Sequence, residues 1–162
     1  MLYQSDITAT LQSIPWFLDL KPRQINALAR IASIVQLNSG EVLFNEDDKT
    51  DALYILLQGQ MSLEYYVPTH GGVCIFIAEP LDIVGWCSMT PVVRQRSATS
   101  RANIASILLF FNAESLRELC DLDHDIGYVI MRRLANVVAS RLLTTRLCLV
   151  DIITNPQDNQ ST

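Results

Sequence analysis

The stretch I-V-G-W-C-S-M-T-P-V-V-R-Q-R-S-A-T, residues 83–99, is the part of this sequence that says most about its fold. Gly85 permits a tight backbone turn, and the residues after it can form one short helical turn that ends before Pro91. No acidic residue occurs in residues 83–113, although the chain as a whole is acidic. A helix N-terminus beside a fixed arginine favours an anion, whereas scattered surface arginines are the ordinary alternative. The arginines of this interval are Arg94, Arg96 and Arg101.

Around this stretch, short apolar runs alternate with residues that favour turns. The runs are rich in β-branched and aromatic residues, and turn pairs such as Ser39-Gly40 and Gln58-Gly59 separate them. Their spacing predicts an antiparallel roll or sandwich rather than alternating strands and helices. The predicted strands are residues 34–37, 42–44, 53–57, 61–67, 73–78, 98–102 and 104–111.

Helices are predicted on both sides of this β-rich region. At the N-terminal end, Ser5 or Asp6 can cap a helix that runs to Ser13. Pro22 suits the first position of a second helix, because its missing N–H group would have no intrahelical acceptor there. After the last strand, Asn112 can cap a third helix through Leu119.

A longer helix follows the third. Asp121, Asp123 and Asp125 place negative charge at its predicted start, where the helix dipole favours it, and we expect it to run to about Ile152. A helix of about 27 residues spans roughly 40 Å, which is about one domain diameter. Its apolar residues fall on more than one face. We therefore expect a homodimer through the helix around residues 126–152, with packing inside one monomer as the alternative.

Composition narrows the classes of protein that remain. The chain has 162 residues, 49% of them hydrophobic and 18% charged, which describes one globular domain that folds without disulfides or metals. A net charge of −5 argues against a protein that mainly binds nucleic-acid phosphates, because Lys and Arg supply that affinity. The longest apolar stretch, residues 104–111, is far shorter than the roughly 20 residues of a membrane helix. We expect a cytoplasmic protein that contacts no membrane.

The spacing of the cysteines matches neither a zinc site nor a disulfide framework, so we expect reduced thiols. The two histidines, His70 and His124, are too few for a site built from several imidazoles, and a metal oxygenase of the cupin kind is therefore disfavoured. We predict no metal, no cofactor and no catalytic residue. The cysteines are Cys74, Cys87, Cys120 and Cys148.

From about Leu11 to Val150, the sequence resembles the cyclic nucleotide-binding domains of the catabolite-activator type. The opening Ile14-Pro15-Trp16-Phe17 and the later Leu53-Tyr54-Ile55-Leu56-Leu57-Gln58-Gly59 are similar to the family's first helices and hairpins. The most specific match is Gly85 followed eleven residues later by Arg96-Ser97-Ala98-Thr99, which resembles the family's phosphate-binding cassette.

The resemblance implies an α+β fold: an antiparallel β-roll, or jelly roll, of about eight strands with short N-terminal helices and a long C-terminal helix. It implies one domain over residues 1–154 and a flexible tail over residues 155–162. Within the domain we expect a helical lead-in, a β-roll with the cassette segment inside it, and the C-terminal helices. These parts are residues 1–33, 34–111 with 83–99, and 112–154.

The same resemblance implies a ligand site in the cassette. Gly85, Arg96 and Ser97 match the positions that hold the cyclic phosphate in the family, and Cys87 lies in the same short turn. Trp86 stands where the family has a glutamate that accepts a hydrogen bond from the ribose 2′-hydroxyl. Loss of a charged hydrogen-bond acceptor costs about 1.5–3 kcal/mol, so ordinary cAMP or cGMP binding should be weakened.

Three further positions depart from the family or extend the site. Leu81 and Asp47 stand where the family tends to have glycines, so two tight turns are altered. Thr145 stands where the family brings a hydroxyl toward the base, although a plain helix contact is the alternative.

The functional expectation is a non-catalytic regulatory domain that binds a cyclic nucleotide or another small phosphate-bearing ligand and signals through its dimer helix. The alternative is a degenerate, ligand-free scaffold of the same fold that dimerises or docks a downstream protein, whose identity the sequence does not reveal. Only about ten residues follow Ile152, too few for a helix-turn-helix, so we expect no direct DNA binding.

Overall fold

The described part of the chain forms two antiparallel four-stranded sheets flanked by helices. The computed structural model of the protein describes residues 4–49, 51–69, 71–90, 92–93 and 95–154. Helices α1 (Gln4–Ser13) and α2 (Pro22–Ile31) come first, with a 3-10 turn (Pro15–Phe17) between them, and α3 (Ala113–Leu122) and α4 (His124–Thr154) come last. The strands are β1 (Ala32–Leu37), β2 (Val42–Phe44), β3 (Ala52–Gln58), β4 (Met61–Val67), β5 (Gly71–Ala78), β6 (Ile83–Val84), β7 (Thr99–Ala102) and β8 (Ser106–Asn112).

The first sheet has the strand order β1-β8-β3-β6 and the second has the order β2-β7-β4-β5. All pairings are antiparallel. The predicted α+β class with a β-roll, short N-terminal helices and a long C-terminal helix is confirmed. Ile83 and Val84 form a short strand beside Tyr54 and Ile55 of β3, which the sequence analysis had placed only in the cassette segment.

Strand β3 separates two hydrophobic cores because its successive side chains point to opposite faces. Leu53 and Ile55 pack with the helices in what we call the main core, between the helices and the first sheet. Ala52, Tyr54 and Leu56 pack in what we call the roll core, between the two sheets. Both faces of β3 are therefore buried, which explains its near-continuous apolar sequence.

Helix α4 changes environment along its length. Its first half packs on the main core through Ile126, Val129, Ile130, Leu134 and Val137, all buried. Its second half exposes large apolar side chains, which include Leu142, Leu143, Leu147, Leu149, Val150 and Ile153. None of the helices in the described part of the chain combines the length and apolar character that a membrane span needs.

The predicted start of α1 is wrong, whereas the predicted start of α4 is correct for Asp123 and Asp125 and wrong for Asp121. Helix α1 begins at Gln4, so Ser5 and Asp6 lie inside it rather than at its cap. Asp121 lies in the last turn of α3, while Asp123 separates the two C-terminal helices and accepts hydrogen bonds from the N–H groups of Asp125 and Ile126. The run of three aspartates therefore spans a helix junction. The predicted tail, residues 155–162, lies outside the described residues, as do His70, Pro91 and Arg94.

Candidate functional site

The site begins where β6 ends. Gly85 has φ 78°, in the left-handed region that disfavours side chains, and the 3-10 turn Trp86–Met89 follows it. A Cβ atom at this position would clash with Nη1 of Arg96 and would approach the Ala52 carbonyl oxygen to 3.0 Å. Glycine is therefore required both by the backbone conformation and by the arginine packed against it.

Arg96 is the central residue of the site and is 2% exposed. Its Nη2 donates to the carbonyl oxygen of Ala52 at 2.7 Å, and its Nη1 donates to the carbonyl oxygen of Gly85 at 3.1 Å. The guanidinium carbon lies 4.3 Å from the centre of the Phe44 ring, a cation–π distance. These contacts fix the guanidinium between β2, β3 and the turn after β6.

The positive charge of Arg96 is only partly compensated. The nearest carboxylate, Asp51, lies 3.8 Å away through Oδ1, and its side chain is 78% exposed, so solvent screens the pair. The Nε atom of Arg96 is buried and has no hydrogen-bond partner among the described residues. Burial raises the pKa of the nearby Tyr54, and the charge of Arg96 opposes that rise. The local field at Arg96 therefore favours an anion.

A small cavity adjoins the arginine. Its volume is about 20 Å³, and it is lined by cassette residues together with Phe44 and Leu63. That volume holds about one water molecule, whereas small-molecule sites typically measure about 300–1,000 Å³. The cassette residues that line it are Gly85, Trp86, Cys87, Arg96, Ser97 and Ala98.

Trp86 contributes to the closure of this cavity. It is half-buried and packs against the main core while it lines the cavity at the same time. Sequence reasoning left open whether the indole stacks on a ligand or fills a hollow, and in this structure it occupies space at the site. Ser97 is exposed at the rim, whereas Cys87 is buried with its Sγ 3.8 Å from Nη1 of Arg96.

The structure brings together five of the six predicted ligand-binding residues. Among the described residues that line the cavity, Thr145 does not occur. It is exposed on α4, where its hydroxyl donates to the carbonyl oxygen of Arg141 one turn earlier at 2.9 Å. Arg101 is also separate, because its guanidinium donates to the Gly40 carbonyl oxygen and lies 3.7 Å from the carboxylate of Glu64. The acid-free interval is therefore not one cationic patch.

The two positions where glycines were expected adopt glycine-like backbones. Asp47 has φ 69° and Leu81 has φ 75°. The N–H of Asp47 donates to the carbonyl oxygen of Arg96 at 2.9 Å, so this turn lies directly against the site. Both turns therefore place a side chain in a sparsely populated backbone region.

Sequence reasoning did not identify several residues that shape the site. Phe44, Asp51 and Ala52 contact Arg96 from β2 and from the segment that leads into β3. They lie more than forty positions before the arginine, and Ala52 contributes only a backbone oxygen. No local pattern marks such contacts, because pairing of distant strands creates them.

The comparisons agree with this geometry. The family model for the cyclic nucleotide-binding domain matches residues 34–123, which is more than half of the chain. The chain belongs to the cyclic nucleotide-binding domain family. The match spans all eight strands except the first two residues of β1, and it includes both Gly85 and Arg96. Among curated protein sequences, none matches significantly.

Several solved structures share the fold of this cyclic nucleotide-binding domain. A cyclic nucleotide-binding protein from Geobacter metallireducens is 26% identical, with a TM-score of 0.69 over 88% of this chain and 99% of that one. The N-terminal domain of a transcriptional regulator from Streptomyces coelicolor is 26% identical, with a TM-score of 0.64 over 84% and 94%. A cyclic nucleotide-binding domain from Methylobacillus flagellatus, 21% identical, has a TM-score of 0.75 over 92% and 84%.

Family membership also settles the class of function. Domains of this family and the related regulators are non-catalytic, so the prediction that the chain is not an enzyme is confirmed. The domain is of the regulatory type. Its ligand, its assembly and its partner are matters of proposal.

Proposed function

We propose that this domain senses a small phosphate-bearing ligand, a cyclic nucleotide or a related anion, and transmits its occupancy through α4. One observation supports the proposal most: the guanidinium of Arg96, buried at 2% exposure, whose only carboxylate partner among the described residues is the exposed Asp51. A buried cation is costly unless it is paired, and a phosphate would supply a stronger partner than two carbonyl oxygens.

Ligand binding requires the site to open. A cavity of about 20 Å³ cannot hold a nucleotide, so the side chains around Arg96 must rearrange to admit one. Trp86 is the largest side chain that lines the cavity, and it replaces the acceptor for a ribose hydroxyl. The proposed ligand therefore gains affinity from its phosphate rather than from its sugar, and we expect cyclic nucleotides to bind more weakly than to a cassette with glutamate at position 86.

The second candidate function is a ligand-free scaffold of the same fold. The closed cavity favours it, as do the hydrogen bonds by which Arg96 uses carbonyl oxygens of Ala52 and Gly85 in place of a ligand. In that case the arginine is a structural residue that ties β3 to the cassette turn.

Thermal unfolding separates the two candidates. A ligand that binds only the folded state adds about 2.7 kcal/mol of stability at 100 times its dissociation constant. We would titrate cAMP, cGMP and inorganic phosphate, and expect at least one of them to raise the melting temperature. No shift with any of the three, up to millimolar concentration, would favour the scaffold.

Matched variants test which residues carry the binding. Arg96→Lys keeps the charge but loses the planar fork, so affinity should fall; Arg101→Lys, at an arginine outside the cavity, should leave affinity unchanged. Trp86→Glu restores the family's acceptor and should strengthen cyclic nucleotide binding. Equal affinity of the Arg96→Lys and Arg101→Lys variants, measured by calorimetry, would contradict the site.

We also propose that the domain is a homodimer through α4 around residues 126–152. The exposed leucines of its second half support this assembly, because contiguous apolar surface of this kind marks interaction sites. The paired change Leu142→Glu and Leu149→Glu should give monomers in light scattering, whereas Asn136→Glu, a polar exposed position on the same helix, should not. A wild-type monomer at micromolar concentration would contradict the dimer.

The proposed context follows from these features. We place the domain in the cytoplasm with reduced cysteines, acting through a downstream protein and without direct contact to DNA or a membrane. Thr145 is exposed and does not line the cavity of its own chain, so we propose it as a ligand contact only from a partner subunit.

A further inference from the structure

Two arginines of α4 reach back to the segment that leads into the cassette. Nη2 of Arg133 donates to the carbonyl oxygen of Leu81 at 3.1 Å, and its guanidinium carbon lies 5.2 Å from the centre of the Trp16 indole. Eight residues further along the helix, the guanidinium carbon of Arg141 lies 3.1 Å from the centre of the Phe76 ring on β5. Arg133 thus contacts the connection from β5 to β6, and Arg141 contacts the strand that precedes it.

These contacts are partly withdrawn from solvent. The Nε atom of Arg133 is buried. Burial lowers the pKa of Arg141 to about 10, and the charge of Asp82 opposes that shift, so Arg141 is charged at neutral pH beside Asp82. A guanidinium that lies over an aromatic ring is attracted to the face of the ring, which favours a defined position of the side chain.

The turn that Arg133 contacts, residues 79–82, is held in place by several hydrogen bonds. The N–H of Leu81 donates to the Leu56 carbonyl oxygen at 2.7 Å, and the N–H of Leu56 donates to the Asp82 carbonyl oxygen at 3.0 Å. The carboxylate of Asp82 accepts from the N–H of Glu79 at 3.0 Å. Because β6 is only two residues long, two residues separate this turn from Gly85. A movement of the cassette is therefore transmitted directly to the turn.

On α4 the two arginines lie on either side of Val137, near the end of the part of the helix that packs on the main core. Val137 is the last residue of the helix in the main core, and Arg141 is half-buried one turn beyond it. From residue 142 to residue 150, every side chain that the structure describes is exposed. Arg141 is thus the last described side chain of α4 that is not exposed.

We propose that Arg133 and Arg141 form a two-point latch that couples the β5–β6 turn, and through it the cassette, to the position of α4. The latch acts in the ligand-free domain, so it does not rest on the proposed ligand. Arg133 holds the backbone of the turn, and Arg141 holds the strand before it. A change that makes the β5–β6 turn more mobile should therefore also make α4 more mobile, and the reverse.

Hydrogen exchange of the full chain, followed by mass spectrometry, tests the coupling without any ligand. Arg133→Leu and Arg141→Leu should each speed exchange about fivefold or more in peptides from residues 79–89 and from residues 138–150. Arg132→Leu, at an exposed position on the same helix and outside both measured regions, is the matched control and should leave both regions unchanged. Strand β1 serves as an internal reference.

The reverse change tests the other end. Asp82→Ala removes the carboxylate that closes the turn and should speed exchange in residues 138–150, because coupling between two sites is reciprocal. Faster exchange in α4 alone after the arginine changes, with residues 79–89 unaffected, would overturn the latch. So would an effect of Asp82→Ala confined to the turn. Arg141→Lys, which keeps the charge but not the stacking, should lie between wild type and Arg141→Leu and guards against misfolding of the leucine variant.

Discussion

The main core and the roll core differ in what fills them. The main core is built from large side chains of the helices and the first sheet, such as Phe17, Leu28 and Phe111, each at most 1% exposed. The roll core contains four alanines, and the buried guanidinium of Arg96 lies over Phe44, one of its members. Close packing of large side chains supplies stability, whereas small side chains leave space beside them for a site. The alanines are Ala52, Ala78, Ala98 and Ala102.

The largest effect is expected from truncation in the main core. Ile55→Ala removes a fully buried side chain and should lower the free energy of unfolding by about 2–5 kcal/mol. Ile77→Ala, on edge strand β5 with 40% exposure, should cost much less. Urea unfolding measures both, and similar losses would mean that the exposed face of the second sheet is covered in solution.

The arginine of the site should come next. Arg96→Ala leaves the carbonyl oxygens of Ala52 and Gly85 without their donor, and a buried group left unsatisfied costs about 1–3 kcal/mol. Arg101→Ala removes a largely exposed ion pair, which is worth about 0–1 kcal/mol. If chemical denaturation shows the two variants to be equally stable, Arg96 does not tie β3 to the cassette turn.

Replacing either of two buried serines by alanine should have a smaller effect on stability, with opposite signs at the two positions. The Oγ of Ser100 is buried without a partner, so Ser100→Ala should stabilise the domain by up to about 1 kcal/mol. The equally buried Ser62 donates to the carboxylate of Glu64 at 2.6 Å, so Ser62→Ala should destabilise it. Calorimetric melting of the pair checks the signs. A loss of stability in both would show that the hydroxyl of Ser100 has a partner after all.

The smallest expected effect is a dependence of the free energy of unfolding on pH, which Cys120 beside the main core causes. Burial, and secondarily the charge of Asp121, raises the pKa of Cys120 from 9.0 to about 11. Between these values the folded state holds a proton that the unfolded state has released, so the stabilisation is present below pH 9 and is lost as pH rises toward 11. In Cys120→Ala the free energy of unfolding should fall less steeply over that pH range, as measured by urea unfolding at each pH. The same slope in the variant and the wild type would contradict the burial of the thiol.

Sequence reasoning reached most of the fold and the centre of the site. Turn residues and apolar runs of the roll are local features, and so is the pairing of Gly85 with Arg96 at a fixed separation. The prediction placed Asp121 wrongly at the start of α4, because an aspartate stabilises a helix start and tolerates a helix end, and only packing distinguishes them. The contact of Gln24 with Asp123 at 2.8 Å could not be inferred from either residue's neighbours.

By itself, the sequence determined the order of the elements, because backbone preference and side-chain alternation depend on near neighbours. The resemblance to the family supplied the class of protein and the residues of the cassette. Tertiary structure decided three other properties: the small volume of the cavity, the weak compensation of Arg96, and the division of α4 into a docked half and an exposed half. Each of these properties depends on side chains that lie far apart in the chain. The cavity and the partly compensated charge arise only when folding has brought those side chains together.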